Sequence, residues 1–243
     1  MGGMDEPGHA THAATHAATP ARLSRPDASA AVSGLGWRLV LGELRAQVLT
    51  GSLVLAADLA ARAAVLPGAQ GHLRMDVRSD RVLLALQTAA IGWVSEQDAE
   101  LARALSTLAD QSGLRTAPGG GSERSAQVLE IAIDATDAGA IRPFWAAVLG
   151  YTDEPGRSGP WDALIDPLGQ GPAIWFQRMD EPRPQRNRIH LDVSVPHDEA
   201  QARISATLAA GGRLAYDAEA PAFWVLADPE GNEACVTTWQ GRD

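Results

Sequence analysis

Ala163-Leu-Ile-Asp-Pro-Leu-Gly169 and Val225-Leu-Ala-Asp-Pro-Glu-Gly231 carry one pattern twice. Each is a short apolar run ending on Asp-Pro-x-Gly. That is turn chemistry: proline presets φ, aspartate hydrogen-bonds its own backbone, and glycine accepts a left-handed conformation. The flanking segments repeat as well. A strand over Val128–Asp134 precedes the first copy. It is followed by an amphipathic helix whose Ile141, Phe144, Trp145, Val148 and Leu149 share one face. Asp162–Asp166 and a strand at Ala173–Arg178 flank the first turn. Around the second copy stand a strand at Arg188–Val195, a helix at Asp198–Ala210, and strands at Leu214–Asp217, Ala222–Asp228 and Glu233–Trp239. The order is βαβββ, twice in tandem. One such unit leaves a curved sheet with an uncovered face, so two units shield each other. Gly150 suits the end of the first helix, whereas Pro143 inside it predicts a late start or a kink.

Upstream, Thr116-Ala-Pro-Gly-Gly-Gly-Ser-Glu-Arg-Ser125 reads as a flexible linker. It divides residues 22–115 from residues 126–243. The earlier part has a helix over Ser24–Leu35, strands at Trp37–Leu41 and Leu44–Thr50, and an Ala/Leu/Val-rich segment, Ser52–Leu66, that reads as a buried helix. Leu73, Met75 and Val77 alternate with polar residues, as do Val82, Leu84 and Leu86, which predicts a hairpin. Ser95 with Asp98 forms a capping box ahead of a last helix ending near Gly113. Residues 1–21 read as a disordered arm whose His9, His12 and His16 belong to a solvated tail. The fold class is α+β, an αββαββα domain followed by two βαβββ units.

Composition narrows the chemistry. All 20 basic residues are arginines, which excludes a Schiff-base lysine and a P-loop. The net charge of −10 is uneven. Ten arginines face eleven acids before Pro118, and ten face nineteen after it. No basic stripe invites nucleic acid, and no apolar run reaches the ~18 residues of a membrane span. A single cysteine, Cys235, rules out an internal disulfide and a Cys-rich zinc site. A cytoplasmic protein is expected.

Phe144-Trp-Ala-Ala-Val-Leu-Gly150, Arg188-Ile-His-Leu-Asp192 and Leu226-Ala-Asp-Pro-Glu-Gly-Asn-Glu233 resemble the glyoxalase-like division of the vicinal oxygen chelate superfamily. The resemblance covers nearly all of 127–240. It implies one metal ligand on the first strand and one on the last strand of each unit, converging in a cup that holds a divalent metal. Carried onto this chain, the first-strand positions are Glu130 and His190, and the last-strand position of the first unit is Gln177. The last-strand position of the second unit is Cys235, or Glu233 at a shift of about 6.6 Å along the strand. Glu130 and His190 are the catalytic candidates of such a site. Glu130 shares a strand face with Ala132 and Asp134, which a closed cup would turn inward. Trp161, Trp175 and Trp224 are expected to wall the cup and stack on a flat ligand.

Gly36-Trp37, Asp76-Val-Arg-Ser-Asp-Arg-Val82 and Gly92-Trp-Val-Ser-Glu-Gln-Asp-Ala-Glu-Leu-Ala-Arg103 resemble pterin-4a-carbinolamine dehydratase over about 23–112. That family uses a His-His-Pro turn and a later Thr-His-Asp, with imidazoles as general acid and base. Here Gly71, His72 and Leu73 fill the first set, and Thr88, Ala89 and Ala90 the second. His72 alone remains, with no evident acid beside it.

Three expectations follow. The leading one is a glyoxalase-like unit that binds or transforms a small molecule. As an enzyme it would be an isomerase, lyase or dioxygenase using the metal as a Lewis acid. As a binder it would be metal-free, with the N-terminal domain as a dimerisation platform giving a homodimer. The third expectation is 4a-hydroxytetrahydrobiopterin dehydratase activity through His72.

Overall fold

In the computed structural model of the chain, residues 20–118, 126–183, 185 and 189–241 are described. His9, His12, His16 and Arg188 lie outside these residues.

The N-terminal part follows the expected order. It runs α1 (Arg25–Ala31), β1 (Arg38–Val40), β2 (Glu43–Leu49), α2 (Leu53–Ala64), β3 (Leu73–Val77), β4 (Arg81–Leu86) and α3 (Glu96–Gln111). The strands form one sheet in the order β1-β2-β4-β3. Alternation sends Leu44, Ala46 and Val48 of β2, with Val82, Leu84 and Leu86 of β4, to a core shared with Trp37, Leu101 and Leu105. Trp37 satisfies its ring N–H by donating to Ser106 Oγ at 3.0 Å. Thr116 and Ala117, read above as the start of a linker, form a short strand β5 (Thr116–Ala117) against Gln47 and Val48 of β2.

Helix α2 differs from the expectation of a buried element. Ala56, Leu59, Ala60 and Ala63 are buried, but Val54 and Val65 are about four-fifths exposed. A helix whose only polar residues are Asp58 and Arg62 gives little clue to how wide a stripe meets the core, and a single sheet covers only one.

The C-terminal part holds two four-stranded sheets, one per repeat. The first comprises β6 (Glu130–Ala135), α4 (Ala138–Leu149), β7 (Thr152–Asp153), β8 (Leu164–Ile165) and β9 (Ala173–Arg178). The second comprises β10 (Leu191–Ser194), α5 (Ala200–Ala209), β11 (Arg213–Tyr216), β12 (Phe223–Ala227) and β13 (Glu233–Thr237). The strand orders are β6-β9-β8-β7 and β10-β13-β12-β11, the same topology twice. In each, the first and last strands pair in parallel and the remaining pairs are antiparallel. α4 starts earlier than Pro143 led one to expect. The Asp137 side chain accepts from the Ala140 N–H and fixes the N-terminus at Ala138, so the proline sits inside the helix.

One core joins the repeats: Ile141, Phe144 and Trp145 of α4 pack with Ile204 of α5 and Leu226, Ala234 and Val236 of the second sheet. Gly212 makes room for it. A Cβ there would lie 2.6 Å from the Phe144 ring and 2.8 Å from the Thr207 carbonyl oxygen.

The repeated turns explain themselves chemically. Asp166 accepts from the N–H groups of Leu168, Gln170 and Gly171. Asp228, with no exposed surface, accepts from the N–H groups of Glu230 and Asn232 and from Asn232 Nδ2, at 2.8–2.9 Å. It also accepts from Trp145 Nε1 at 3.0 Å, which ties the second turn to the helix of the first repeat. Burial pushes the Asp228 carboxyl up from the usual carboxylate value, and these donors only partly offset it. Asp228→Ala orphans buried donors and is expected to cost roughly 2–4 kcal/mol. Thermal denaturation of the two proteins, followed by circular dichroism, measures that loss.

Candidate functional site

Strand register decides where the expected ligands stand. In the first sheet Glu130 pairs with Ala173, Ala132 with Trp175 and Asp134 with Gln177. These six side chains share the face turned away from α4, while Ile133, Ile174 and Phe176 enter the core on the other. Glu130 and Gln177 are thus on one face but four residues apart in register, about 13 Å along the strand. Both are exposed, so Glu130 is not the buried carboxylate that a closed cup would create. Gln177 donates to the carbonyl of Arg178 at 3.5 Å.

In the second sheet Leu191 pairs with Ala234 and Asp192 with Cys235. Continuing that register, exposed His190 comes level with half-buried Glu233, and Cys235 lies further along, 6% exposed. Among the described residues no three His, Cys, Asp or Glu side chains are grouped so as to hold a metal ion. The donor set implied by the resemblance therefore does not fit a metal.

The tryptophans also separate. Trp224 pairs with Val236 on the α5 side and belongs to the core, not to the cup. Trp161 is half-buried and carries the Arg178 guanidinium 4.1 Å from its ring centre. Trp175 keeps 37% exposure on the face with Ala132.

A hollow of about 760 Å³ lies where the two repeats meet. Its lining includes Ile131 and Asp134 of β6, Trp145 of α4, Leu191 of β10, Arg213 of β11 and Glu230 of the second turn. Of the residues proposed from sequence, Glu233 alone reaches it. Arg183 also lines it and pairs with Asp134 at 3.1 Å.

Glu230 is held from the first repeat. Its two oxygens accept from the N–H and hydroxyl of Thr136 and from the N–H of Asp137, at 2.6–2.9 Å. Burial works to raise this carboxyl, but the backbone N–H groups of Thr136 and Asp137 outweigh it and hold it below the usual glutamate value.

In the N-terminal part His72 has an acid partner that the sequence reading missed. Its Nδ1 lies 2.8 Å from Oδ1 of Asp98, which is fully buried. Asp98 Oδ2 accepts from Thr88 Oγ1 and from the Ser95 N–H, both at 2.7 Å. With Nδ1 donating to the carboxylate, the imidazole lone pair sits on Nε2, where it serves as a base. The capping box used one oxygen of Asp98 and so accounted for the residue. Its second oxygen was the unread signal.

Residues 130–237 match the family model of the glyoxalase-like domain. The glyoxalase-like segment thus takes in both repeats, from the first residue of β6 to the last of β13. Among solved structures, the chain is similar to a glyoxalase/bleomycin resistance protein/dioxygenase family enzyme from Burkholderia phytofirmans PsJN, at 19% identity and a TM-score of 0.37, over 45% of this chain and 95% of the other. It is similar to a variant of the fosfomycin resistance protein FosX from Listeria monocytogenes, complexed with Mn(II), at 12% identity and a TM-score of 0.37, over 47% and 90%. A third, a transcriptional coactivator/pterin dehydratase from Brucella melitensis, has 23% identity and a TM-score of 0.34 over 36% and 98%. No curated protein matches the chain. Among the described residues, no helix is long and apolar enough to cross a membrane.

Glu230 gives the site a pH dependence. A carboxyl held below its usual value stabilises the fold fully above the unfolded value, near 4.5, and loses that contribution as pH falls through the lower folded value. Glu230→Gln keeps the shape but leaves one oxygen to accept, so it is expected to lose about 1–3 kcal/mol at pH 7. Urea titrations across pH should show the gap between the two proteins closing below about pH 4.5.

Proposed function

We propose that the glyoxalase-like segment binds a small organic molecule in the hollow between its two repeats. The observation that carries this reading is the hollow itself: about 760 Å³, lined by both repeats, with apolar and charged walls. That volume lies in the range of small-molecule sites, roughly 300–1,000 Å³. His190 stands level with Glu233, but Glu130, Gln177 and Cys235 are spread along the strands and no third His, Cys, Asp or Glu joins the pair among the described residues, which favours binding over chelation-driven isomerase, lyase or dioxygenase chemistry. A small-molecule partner, with no nucleic acid, also fits the acidic charge of this half of the chain.

N-Phenyl-1-naphthylamine, a neutral dye that brightens in apolar surroundings, tests the hollow. The full chain dialysed against EDTA should bind one equivalent. Ala132 lines the hollow and is exposed, so Ala132→Trp fills it without disturbing the core and should abolish the signal. Binding that vanishes with EDTA and returns with Mn²⁺ would overturn the metal-free reading.

The His72–Asp98 contact favours a second reading, for the N-terminal part. An imidazole oriented by a buried carboxylate is a general base, and the resemblance implies dehydration of a pterin carbinolamine as its use. Wild-type protein should then accelerate that dehydration, and His72→Ala should lose the acceleration while retaining the fold. A wild-type rate equal to buffer ends this reading.

A further inference from the structure

The charges around the hollow do not cancel, and their accounting points to a ligand class. Asp134 is neutralised by Arg183 at 3.1 Å. Glu230 has both oxygens occupied by donors of the β6–α4 connection. Glu233 is likewise engaged. Asp134 and Glu230 are therefore committed to the protein.

Arg213 is not. It opens β11, opposite Ala227, whose other neighbour is Glu233. Alternation puts these three on one face of the second sheet, with only a methyl group between the two long side chains. Among the described residues the Arg213 guanidinium makes no hydrogen bond or ion pair. It lines the hollow nonetheless. The wall also has apolar stretches at Ile131, Met179 and Leu191.

Resting on the reading of the hollow as a binding site, we propose that its ligand is an amphipathic organic anion, anchored through its acidic group on Arg213 with its apolar body against Ile131, Met179 and Leu191. A guanidinium presents paired N–H donors that match the two oxygens of a carboxylate or a sulfonate. It gains most where the surroundings are partly dry. The half of the chain that holds it has ten arginines against nineteen acids, so this cation does not belong to a basic surface made for a polyanion. It acts on one small anion.

Two dyes with nearly the same aromatic body separate the claims. 8-Anilinonaphthalene-1-sulfonate carries the anion, and N-phenyl-1-naphthylamine lacks it. Fluorescence titrations use the full chain, its Arg213→Gln and Arg213→Lys variants, and Ala132→Trp as the blocked control. Arg213→Gln should weaken the sulfonate dye at least fivefold and change the neutral dye less than twofold. Arg213→Lys should restore part of the loss, and Ala132→Trp should displace both dyes. Equal sulfonate binding in wild type and Arg213→Gln, with the neutral dye still bound, overturns the anion assignment and leaves the hollow standing. Failure of wild type to bind either dye overturns both. Sulfonate binding that survives Ala132→Trp places the dye elsewhere and also overturns the assignment. Arg213 lies on an edge strand with its side chain exposed, and unchanged far-ultraviolet dichroism of each variant shows that the sheet is intact.

Discussion

Two carboxylates on a single turn, Asp228 and Glu230, hold the second repeat to the first. Asp228 points inward and takes the indole N–H of Trp145. Glu230 points along the surface and takes the backbone donors where β6 runs into α4. The core between α4 and α5 supplies attraction, but apolar contact is non-directional. The directed bonds from this turn fix how the sheets face each other, and that in turn fixes the walls of the hollow. Charge-assisted bonds suit this task because their strength depends on geometry.

The repeats share a topology but not a task. Both turns use aspartate to gather backbone N–H groups. Two residues further on, the first copy has Leu168, which is 74% exposed, and the second has Glu230, which reaches the other repeat. The sheets diverge likewise. Ala132, Trp175 and Gln177 leave the outer face of the first sheet open, whereas Val225, Cys235 and Thr237 on the corresponding face of the second are buried. A symmetric quartet of ligands needs two equivalent faces, and this chain does not keep them.

Much of the fold was legible because its signals are local. Asp-Pro-x-Gly marked the turns, alternation marked Leu73–Val77 and Arg81–Leu86, and Ser95 with Asp98 marked the start of α3. What failed depended on partners distant in sequence. The pairing of Asp134, not Glu130, with Gln177 follows from how β6 and β9 slide against each other, and no residue announces that register. Trp224 and Trp175 look alike as exposed or core candidates until strand alternation assigns their faces. Asp98 already had a role as a cap, so its reach to His72 went unread. Arg213 belongs to no motif; it stands out only once the partners of Asp134 and Glu230 are known.

The exit from the first sheet carries one more consequence. Thr116 donates its hydroxyl to the Leu35 carbonyl at 2.6 Å, and its own carbonyl lies so close to Gly36 that a Cβ there would collide with it. Two residues later the Pro118 carbonyl accepts from the Ala126 N–H at 2.8 Å. The route from one half of the polypeptide to the other is thus sutured at Pro118 and Ala126, whatever length of chain runs between them. While that bond holds, residues added between Pro118 and Ala126 would cost little further closure entropy. That makes the interval the natural place to splice in a cargo domain.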